Sequence, residues 1–385
     1  MSLTPRSSRG SKYDGQAAES QRRRQLAAHL PLGVGRRTLS AYPHRVEFAR
    51  FGTTTWLDPI EVSHDPADLE SGGWAVVLDF EGALTAVRFA RRVEGGSPPG
   101  DHTRWPAVTG WSSSLGRSTY VAGVQEIRSR IAAGSVYQVN LTTMLQAPLP
   151  DDASLPDLAA VLARGNPAPF AGVVHVPSAG LDVVTASPER YVTRAGDLLC
   201  SSPIKGTAPT LGQMLAKDVA ENVMIVDLVR NDLQQVCEPG SVVVQRLCAP
   251  EEHPGLVHLV SDVAGTLRVG TTWSDVLAAS FPPGSVSGAP KSSALSTISA
   301  LEPVPRGPYC GAVGWVDAEH PDGPSGELAV GIRTFYATVD PDGVRRLRFG
   351  TGAGITWASD PEGEWAECEL KAQTLIGLAS GRVGT

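Results

Sequence analysis

The chain has 385 residues, of which 42% are hydrophobic and 19% charged, a composition typical of a globular protein with one large or two ordinary domains. No apolar run approaches the roughly 18 residues of a membrane span, and no signal segment opens the chain, so we expect a cytoplasmic protein without a membrane partner. Five widely spaced cysteines without a Cys-x-x-Cys pair favour reduced thiols over a zinc site.

The charge is unevenly distributed. Residues 1–50 hold ten Lys and Arg against three acids, so residues 51–385 carry a balance of −14. A basic segment that lacks interleaved aromatics and a binding module is typical of a disordered extension, which we predict for residues 1–44. Because the remaining body is acidic, we expect no nucleic-acid partner, and any anionic substrate requires local positive groups or a metal.

Short strands at 46–51, 73–80 and 84–89 predict an abbreviated N-terminal β-rich region over residues 45–110, which includes a linker at 95–106. Residues 111–380 mix helices and strands without regular βαβ alternation. Helices are predicted at 118–133, with Ser118 as N-cap, and at 155–163, 217–233, 273–279, 291–301 and 362–378. Strands are predicted at 136–142, 170–176, 181–186, 242–247, 256–267, 309–316, 328–338 and 345–349. This pattern favours an α+β fold of large, mostly antiparallel sheets with helices outside.

Lys205 stands in a turn-like Pro-Ile-Lys-Gly-Thr segment at 203–207. The chain has only five lysines against 28 arginines, so a specific need for an amine is one interpretation. A desolvated amine can lose its proton and attack carbon, whereas a guanidinium cannot. The segment by itself is equally consistent with a solvated loop lysine.

Four carboxylates stand at positions that suit a site. Glu189 follows a predicted strand, where a side chain often faces a cleft, although an exposed strand end is the simpler interpretation. Glu221 begins the apolar stripe of helix 217–233, where a charge requires a counter-ion or a metal. Glu364 and Glu367 share one face of the last helix, where acids ordinarily complement the helix dipole. If the two helices converge, these oxygens suit Mg²⁺.

Two glycine-rich turns allow backbone N–H groups to approach an anion. The turn at 281–291 lacks the Walker spacing, and the turn at 350–354 lacks a following helix with an acidic ribose partner, so neither predicts a nucleotide site. His258 lies in an apolar strand and is by default a core histidine. Arg333 interrupts another apolar strand and requires an anionic partner if it points inward.

The order of these stretches resembles that of the chorismate-utilising enzymes, which include anthranilate, aminodeoxychorismate, isochorismate and salicylate synthases. The matching segments cover about 120–375 and include Tyr-Gln-Val-Asn-Leu at 137–141, Ser-Pro-Glu at 187–189, Pro-Ile-Lys-Gly-Thr at 203–207, the helix 217–233, His-Leu-Val-Ser at 258–261, Ser-Gly-Ala-Pro-Lys at 287–291, Gly-Ile-Arg-Thr at 331–334, Gly-Thr-Gly-Ala-Gly-Ile at 350–355 and the acidic helix start at 360–372. The resemblance implies antiparallel sheets packed face to face.

By resemblance, Lys205 is a nucleophile and Glu189 a general acid. Glu221 and Glu367 are the implied Mg²⁺ ligands, with Glu364 close by. The implied contacts to chorismate come from the backbone at Gly352, Ala353 and Gly354 for the ring carboxylate, Arg333 and Tyr309 for the enolpyruvyl carboxylate, and His258 and Ser285 for the ring and its hydroxyl.

Positions 205 and 138 discriminate within the family. Aminodeoxychorismate synthases have Lys where anthranilate synthases usually have Ala, and isochorismate and salicylate synthases have a lysine base where this chain has Gln138. The resemblance is therefore greatest to aminodeoxychorismate synthase component I, which aminates chorismate through a covalent lysine intermediate on the route to para-aminobenzoate and folate.

The resemblance also implies a partner. No Gly-x-Cys-x-Gly glutaminase pattern occurs in the sequence, so a separate glutamine amidotransferase subunit would supply the ammonia. The alternatives are anthranilate or 2-amino-2-deoxyisochorismate formation and, from another class, a non-catalytic scaffold that binds chorismate or the partner.

Overall fold

The computed structural model describes residues 36–39, 46–99, 104–208, 210–214, 216–253 and 256–382. The predicted extension, residues 1–44, lies outside these residues except for 36–39. The described residues form nineteen β-strands, β1 to β19, at Arg37–Thr38, Phe48–Phe51, Thr54–Ser63, Gly73–Leu78, Leu84–Glu94, Ser112–Ser113, Gln138–Pro148, Phe170–Val176, Leu181–Ser187, Arg190–Ala195, Leu198–Ser202, Ile204–Ala208, Val243–His253, Leu256–Thr266, Gly288–Ala289, Ala312–Asp317, Ser325–Val330, Thr334–Val339 and Arg345–Ile355.

The same part of the chain forms seven α-helices, α1 to α7, at Arg117–Ala132, Leu155–Gly165, Ala216–Gln234, Trp273–Ser280, Gly284–Ser287, Lys291–Leu301 and Pro361–Ala379. Gly116 is the N-cap of α1 and no side chain caps this helix, so the prediction that Ser118 is the cap was wrong. Ser118 already lies within the first turn. Within the described residues, each helix is too short or too polar to cross a lipid bilayer.

All pairings between these strands are antiparallel. They form one continuous ladder in the order β13, β14, β11, β10, β17, β16, β4, β5, β3, β2, β8, β9, β18, β19, β7. Four short strands attach at its sides: β12 pairs with β14, β1 with β3, and β6 and β15 with β7. The predicted mostly antiparallel arrangement is confirmed.

The two halves of the ladder pack against each other. One hydrophobic cluster joins Val76 and Val313 of the first half with Val183 and Ile355 of the second, all at most 2% exposed. Burying apolar surface between two sheet faces is a major source of stability for such a fold. Helices α2 and α7 cover a second cluster on the other side of the β18–β19 hairpin. The sheets thus lie face to face with helices outside them, as predicted.

The N-terminal β-rich region shares this ladder, because β2 pairs with β8 and β4 pairs with β16. The boundary near residue 110 stays a prediction. The single strand predicted at 328–338 is wrong, since the chain forms two strands there, β17 and β18. Arg333 adopts a φ of +51° at the break, and a side chain at Gly331 would strike the Pro308 carbonyl, so neither residue continues a regular strand.

Candidate active site

Lys205 and Glu221 form an ion pair between β12 and α3. The Lys205 Nζ lies 3.0 Å from Glu221 Oε1, and the two side chains are 12% and 21% exposed. The β12–β14 register shifts between Lys205 and Thr207, where Gly206 has a φ of +77°. A bulge of this kind re-aims the neighbouring side chain. The solvated-loop interpretation of Lys205 is therefore wrong, because this lysine is mostly buried against a carboxylate.

Gln138 of β7 binds the same carboxylate. Its Nε2 donates to Glu221 Oε1 over 2.7 Å, and its Oε1 is buried without a hydrogen bond to any described residue. Gly354 of β19 lies directly above both groups. A Cβ atom there would come within 2.6 Å of Glu221 Oε1 and closer still to the Gln138 amide. The absence of a side chain at Gly354 therefore lets the Glu221 carboxylate and the Gln138 amide lie directly against the β19 backbone.

Glu189 is buried at the end of β9, with 4% of its surface exposed. Burial raises the pKa of its carboxyl to about 7, although a hydrogen bond with the Ser285 side chain, the charge of Lys205 and the Ile204 backbone act in the opposite direction. Ser285 is itself buried on the short helix α5. The site therefore places a carboxylic acid that keeps its proton near neutral pH beside a lysine.

Helix α7 carries the other two carboxylates of the predicted metal site, Glu364 and Glu367. The Lys371 Nζ lies 2.7 Å from Glu367 Oε1 and donates to the Gly352 carbonyl over 3.1 Å. Lys371 and Glu367 stand four residues apart on the helix and are about half exposed, at 49% and 45% of their side-chain surface. The ion pair with Glu367 raises the pKa of Lys371. Lys371 at Gly352 and Glu221 at Gly354 thus approach β19 two residues apart, so α7 and α3 both bring a side chain to this strand. The metal site that the two helices would share stays a prediction.

Glu364 is the acidic residue that the structure sets apart. It is 7% exposed and lies near Tyr120 and Cys368, whose pKa values are raised mainly by burial and to a smaller extent by the Glu364 charge. No group of three or more His, Cys, Asp or Glu side chains stands at metal-ligand spacing within the described residues. Mg²⁺ in enzymes commonly takes one or two carboxylates, with water and substrate completing its shell. Glu221, which lies against Gly354, and Glu367, whose partner Lys371 bonds the Gly352 carbonyl, supply two such carboxylates beside β19.

The remaining predicted contacts lie on neighbouring elements. Tyr309 is buried, and its ring occupies the space that a side chain at Gly350 would need. His258 is buried on β14, opposite Thr207 in the register. Ala353 is buried on β19 between Gly352 and Gly354.

Arg333 lies beside the end of β9, where its carbonyl accepts a hydrogen bond from the Ala186 N–H over 3.0 Å. Burial lowers the pKa of its guanidinium. This side chain makes no hydrogen bond or ion pair with the part of the chain that the structure describes. A mostly buried guanidinium in this state is suited to receiving an anionic ligand.

Sequence reasoning missed Lys371 as a member of the site and assigned Gln138 only the role of a missing base. The scarcity that singled out Lys205 applies equally to Lys371, which also stands four residues after Glu367. Nothing in the local sequence shows that Gln138 faces Glu221, since the two residues are 83 positions apart.

The comparisons with known proteins identify the family and the fold of the chain. A family model described as chorismate binding enzyme matches residues 78–377. The chain belongs to the chorismate binding enzyme family. The predicted resemblance to chorismate-utilising enzymes is confirmed.

Curated members of the family carry two activities in their names. Anthranilate synthase component 1 of Streptomyces coelicolor is 36% identical over 307 residues, 76% of this chain and 57% of that protein. Aminodeoxychorismate synthase component 1 of Salmonella typhimurium is 34% identical over 325 residues, 79% and 68% of the two chains. The same-named protein of Klebsiella aerogenes is 38% identical over 284 residues, 70% and 59%. The chain spans 54% to 63% of the length of three anthranilate synthases that it matches.

Solved structures of the family share the fold. A 2,3-dihydroxybenzoate-specific isochorismate synthase from Bacillus anthracis matches with a TM-score of 0.73 and 23% identity, over 89% of this chain and 98% of that one. Anthranilate synthase component I from Streptococcus pneumoniae matches with a TM-score of 0.70 and 20% identity, over 97% and 100%. The predicted chorismate-utilising enzyme fold is confirmed.

Proposed function

We propose that this family member is an aminodeoxychorismate synthase component I, which converts chorismate and ammonia to 4-amino-4-deoxychorismate and water. The observation that carries the proposal is the position of Lys205, mostly buried within electrostatic reach of the Glu189 carboxyl, whose pKa burial raises to about 7. In the anthranilate synthases that the motifs resemble, Ala usually stands at this position. An amine beside a buried acid supplies a nucleophile and a proton donor for one substitution.

The proposed reaction has two substitutions. After the Lys205 ammonium group has given a proton to solvent, its free amine attacks C2 of chorismate while Glu189 gives its proton to the C4 hydroxyl. A C2–N bond forms, both ring double bonds shift, the C4–O bond breaks and water leaves. Ammonia then attacks C4, the C2–N bond breaks and the lysine amine departs. The ammonia nitrogen returns a proton to the Glu189 carboxylate, which restores the starting acid.

The acidic groups have a separate task. Glu221 and Glu367 would hold Mg²⁺, with Glu364 nearby, and the bound ion would supply the positive charge that binds the ring carboxylate of chorismate. Chorismate is a dianion, and the site is rich in carboxylates, so substrate binding requires such a charge. The glycine backbone at 352–354 would lie along the same carboxylate.

The second carboxylate of chorismate, on the enolpyruvyl group, would bind Arg333 and Tyr309. Arg333 suits this role because its guanidinium has no anionic partner among the described residues. His258 and Ser285 would line the ring and the C4 hydroxyl, and the hydrogen bond between Ser285 and Glu189 orients the acid toward that hydroxyl.

Ammonia would come from a glutamine amidotransferase partner. The name "component 1" of the relatives is consistent with a second component in those enzymes. A purified chain that used glutamine without a partner would contradict this part of the proposal.

Product identification tests the proposal directly. The purified chain is incubated with chorismate, Mg²⁺ and ammonium, and the products are separated by chromatography with mass detection. We expect 4-amino-4-deoxychorismate. Anthranilate would instead support the second candidate, which the 35% to 37% identity to three anthranilate synthases favours. No turnover at saturating ammonium would favour the non-catalytic scaffold.

A further inference from the structure

Each carboxylate proposed for the metal already holds a lysine ammonium group. The Lys205 Nζ lies 3.0 Å from Glu221 Oε1, and the Lys371 Nζ lies 2.7 Å from Glu367 Oε1. Two of the chain's five lysines are thus committed to the two carboxylates of one site. Such a concentration of a rare residue argues for a function beyond general charge balance.

The four side chains form one lysine–carboxylate cluster, defined as Lys205, Glu221, Glu367 and Lys371. The two ion pairs meet along β19, because Lys371 bonds the Gly352 carbonyl and Glu221 lies against Gly354, two residues further on. Its hydrogen bond to the Gly352 carbonyl fixes it against β19. Two carboxylates and two ammonium groups give the cluster a formal charge of zero.

A divalent ion competes with these ammonium groups for the same oxygens. Mg²⁺ binds a carboxylate oxygen at about 2.0 to 2.1 Å and carries two charges, whereas the lysine nitrogens here stand about 3 Å away with one charge each. The Coulomb energy of two charges grows with their product and falls with their separation, so the ion repels both ammonium groups from its ligands. The lysines in turn weaken the binding of the ion.

We propose that Lys205 and Lys371 are internal counter-cations that a divalent metal ion must displace from Glu221 and Glu367. The inference rests on the metal role of these carboxylates in the proposed function, but not on the identity of the product. Its consequence is an ordered activation. Without the ion, Lys205 stays paired with Glu221. When the ion binds, Lys205 is released beside Glu189, and the same ion is then in place to bind the ring carboxylate of chorismate.

Metal affinity of the full chain without chorismate tests this inference. Mn²⁺ is titrated at one fixed pH and followed by water-proton relaxation, with folding of each variant checked by circular dichroism. We expect Lys205→Met and Lys371→Met each to bind Mn²⁺ about tenfold more tightly than the wild type, because each removes one competing charge. Lys205→Arg keeps the charge and should not tighten binding.

A matched control is available in Lys291, whose Nζ lies 2.8 Å from Asp232 in another partly buried ion pair outside the cluster. Lys291→Met should leave the Mn²⁺ affinity unchanged. Unchanged or weaker binding in both Lys205→Met and Lys371→Met would overturn the inference. Glu221→Gln distinguishes a wrong metal ligand from a wrong counter-cation role. If this variant binds Mn²⁺ as tightly as the wild type, Glu221 is not a metal ligand. If it binds Mn²⁺ weakly while the two methionine variants bind no more tightly than the wild type, only the counter-cation role is wrong.

Discussion

The Lys205 Nζ and Glu221 Oε1 lie 3.0 Å apart, which joins the candidate nucleophile on β12 to a candidate metal ligand on α3. The pair is mostly buried, so its charges interact more strongly than those of an exposed ion pair.

Replacing Lys205 by alanine should lower the rate of 4-amino-4-deoxychorismate formation at least about 100-fold, because the substitution removes the nucleophile. With chorismate and no ammonia, the wild-type peptide that contains Lys205 should gain the mass of chorismate minus water. Arg230→Ala, which removes an exposed cation from the same helix as Glu221, should keep the wild-type rate. Equal rates for Lys205→Ala and the wild type would exclude the covalent step.

Burial raises the pKa of Glu189 to about 7, so the active, protonated acid is lost as the pH rises through that value. At a fixed concentration of free ammonia, kcat/KM for chorismate should fall about tenfold per pH unit above this point. Glu189→Gln should have a low rate without this limb of the profile. If the limb persists unchanged in Glu189→Gln, another group is responsible for it.

The same shift affects stability. The folded-state pKa of Glu189 lies above the ordinary value of 4.5, so the stabilising protonated form is complete below 4.5 and is lost as the pH rises toward about 7. Relative to Glu189→Gln, the wild type should lose about 2 to 3 kcal/mol of unfolding free energy between pH 5 and pH 8. Urea unfolding of both proteins at the two pH values measures the difference. A pH-independent difference would contradict the raised pKa.

Gly354→Ala should push Glu221 and Gln138 away from β19 and lower kcat/KM for chorismate about tenfold or more, because these two side chains already occupy the position that the methyl group needs. Gly377→Ala is the matched control. It places a methyl group on helix α7 where no atom lies within 4 Å, and it should keep activity and add about 0.5 to 1 kcal/mol of stability. Equal activity of the two variants would show that activity does not depend on the close approach of Glu221 and Gln138 to residue 354.

Arg333→Met should raise the KM for chorismate about 100-fold, because a buried guanidinium–carboxylate contact is lost. The variant should be at least as stable as the wild type in thermal unfolding, since the guanidinium is desolvated without an ion pair among the described residues. Wild-type chorismate affinity would remove Arg333 from the proposed site, and a large loss of stability would show a structural role instead.

Much of the site could be predicted from residue types in order along the chain. The sequence alone identifies three candidates: Lys205 near a proline and a glycine, Glu189 after a strand and Glu221 on an apolar helix. The antiparallel fold followed from the spacing of strands and turns in the same way. These features are local, and short-range periodicity and turn chemistry are sufficient to indicate them.

The contacts that define the chemistry required the tertiary structure. The shared carboxylate of Lys205 and Gln138 depends on the β12–β14 and β7–β19 registers, which bring together residues far apart in the chain. The role of Lys371 depends on α7 packing beside β19, and the elevated pKa of Glu189 depends on burial that its local sequence does not encode. The sequence by itself determined which groups are present and in which elements. Only the packing of those elements decided which charged groups come into contact and which are buried away from solvent.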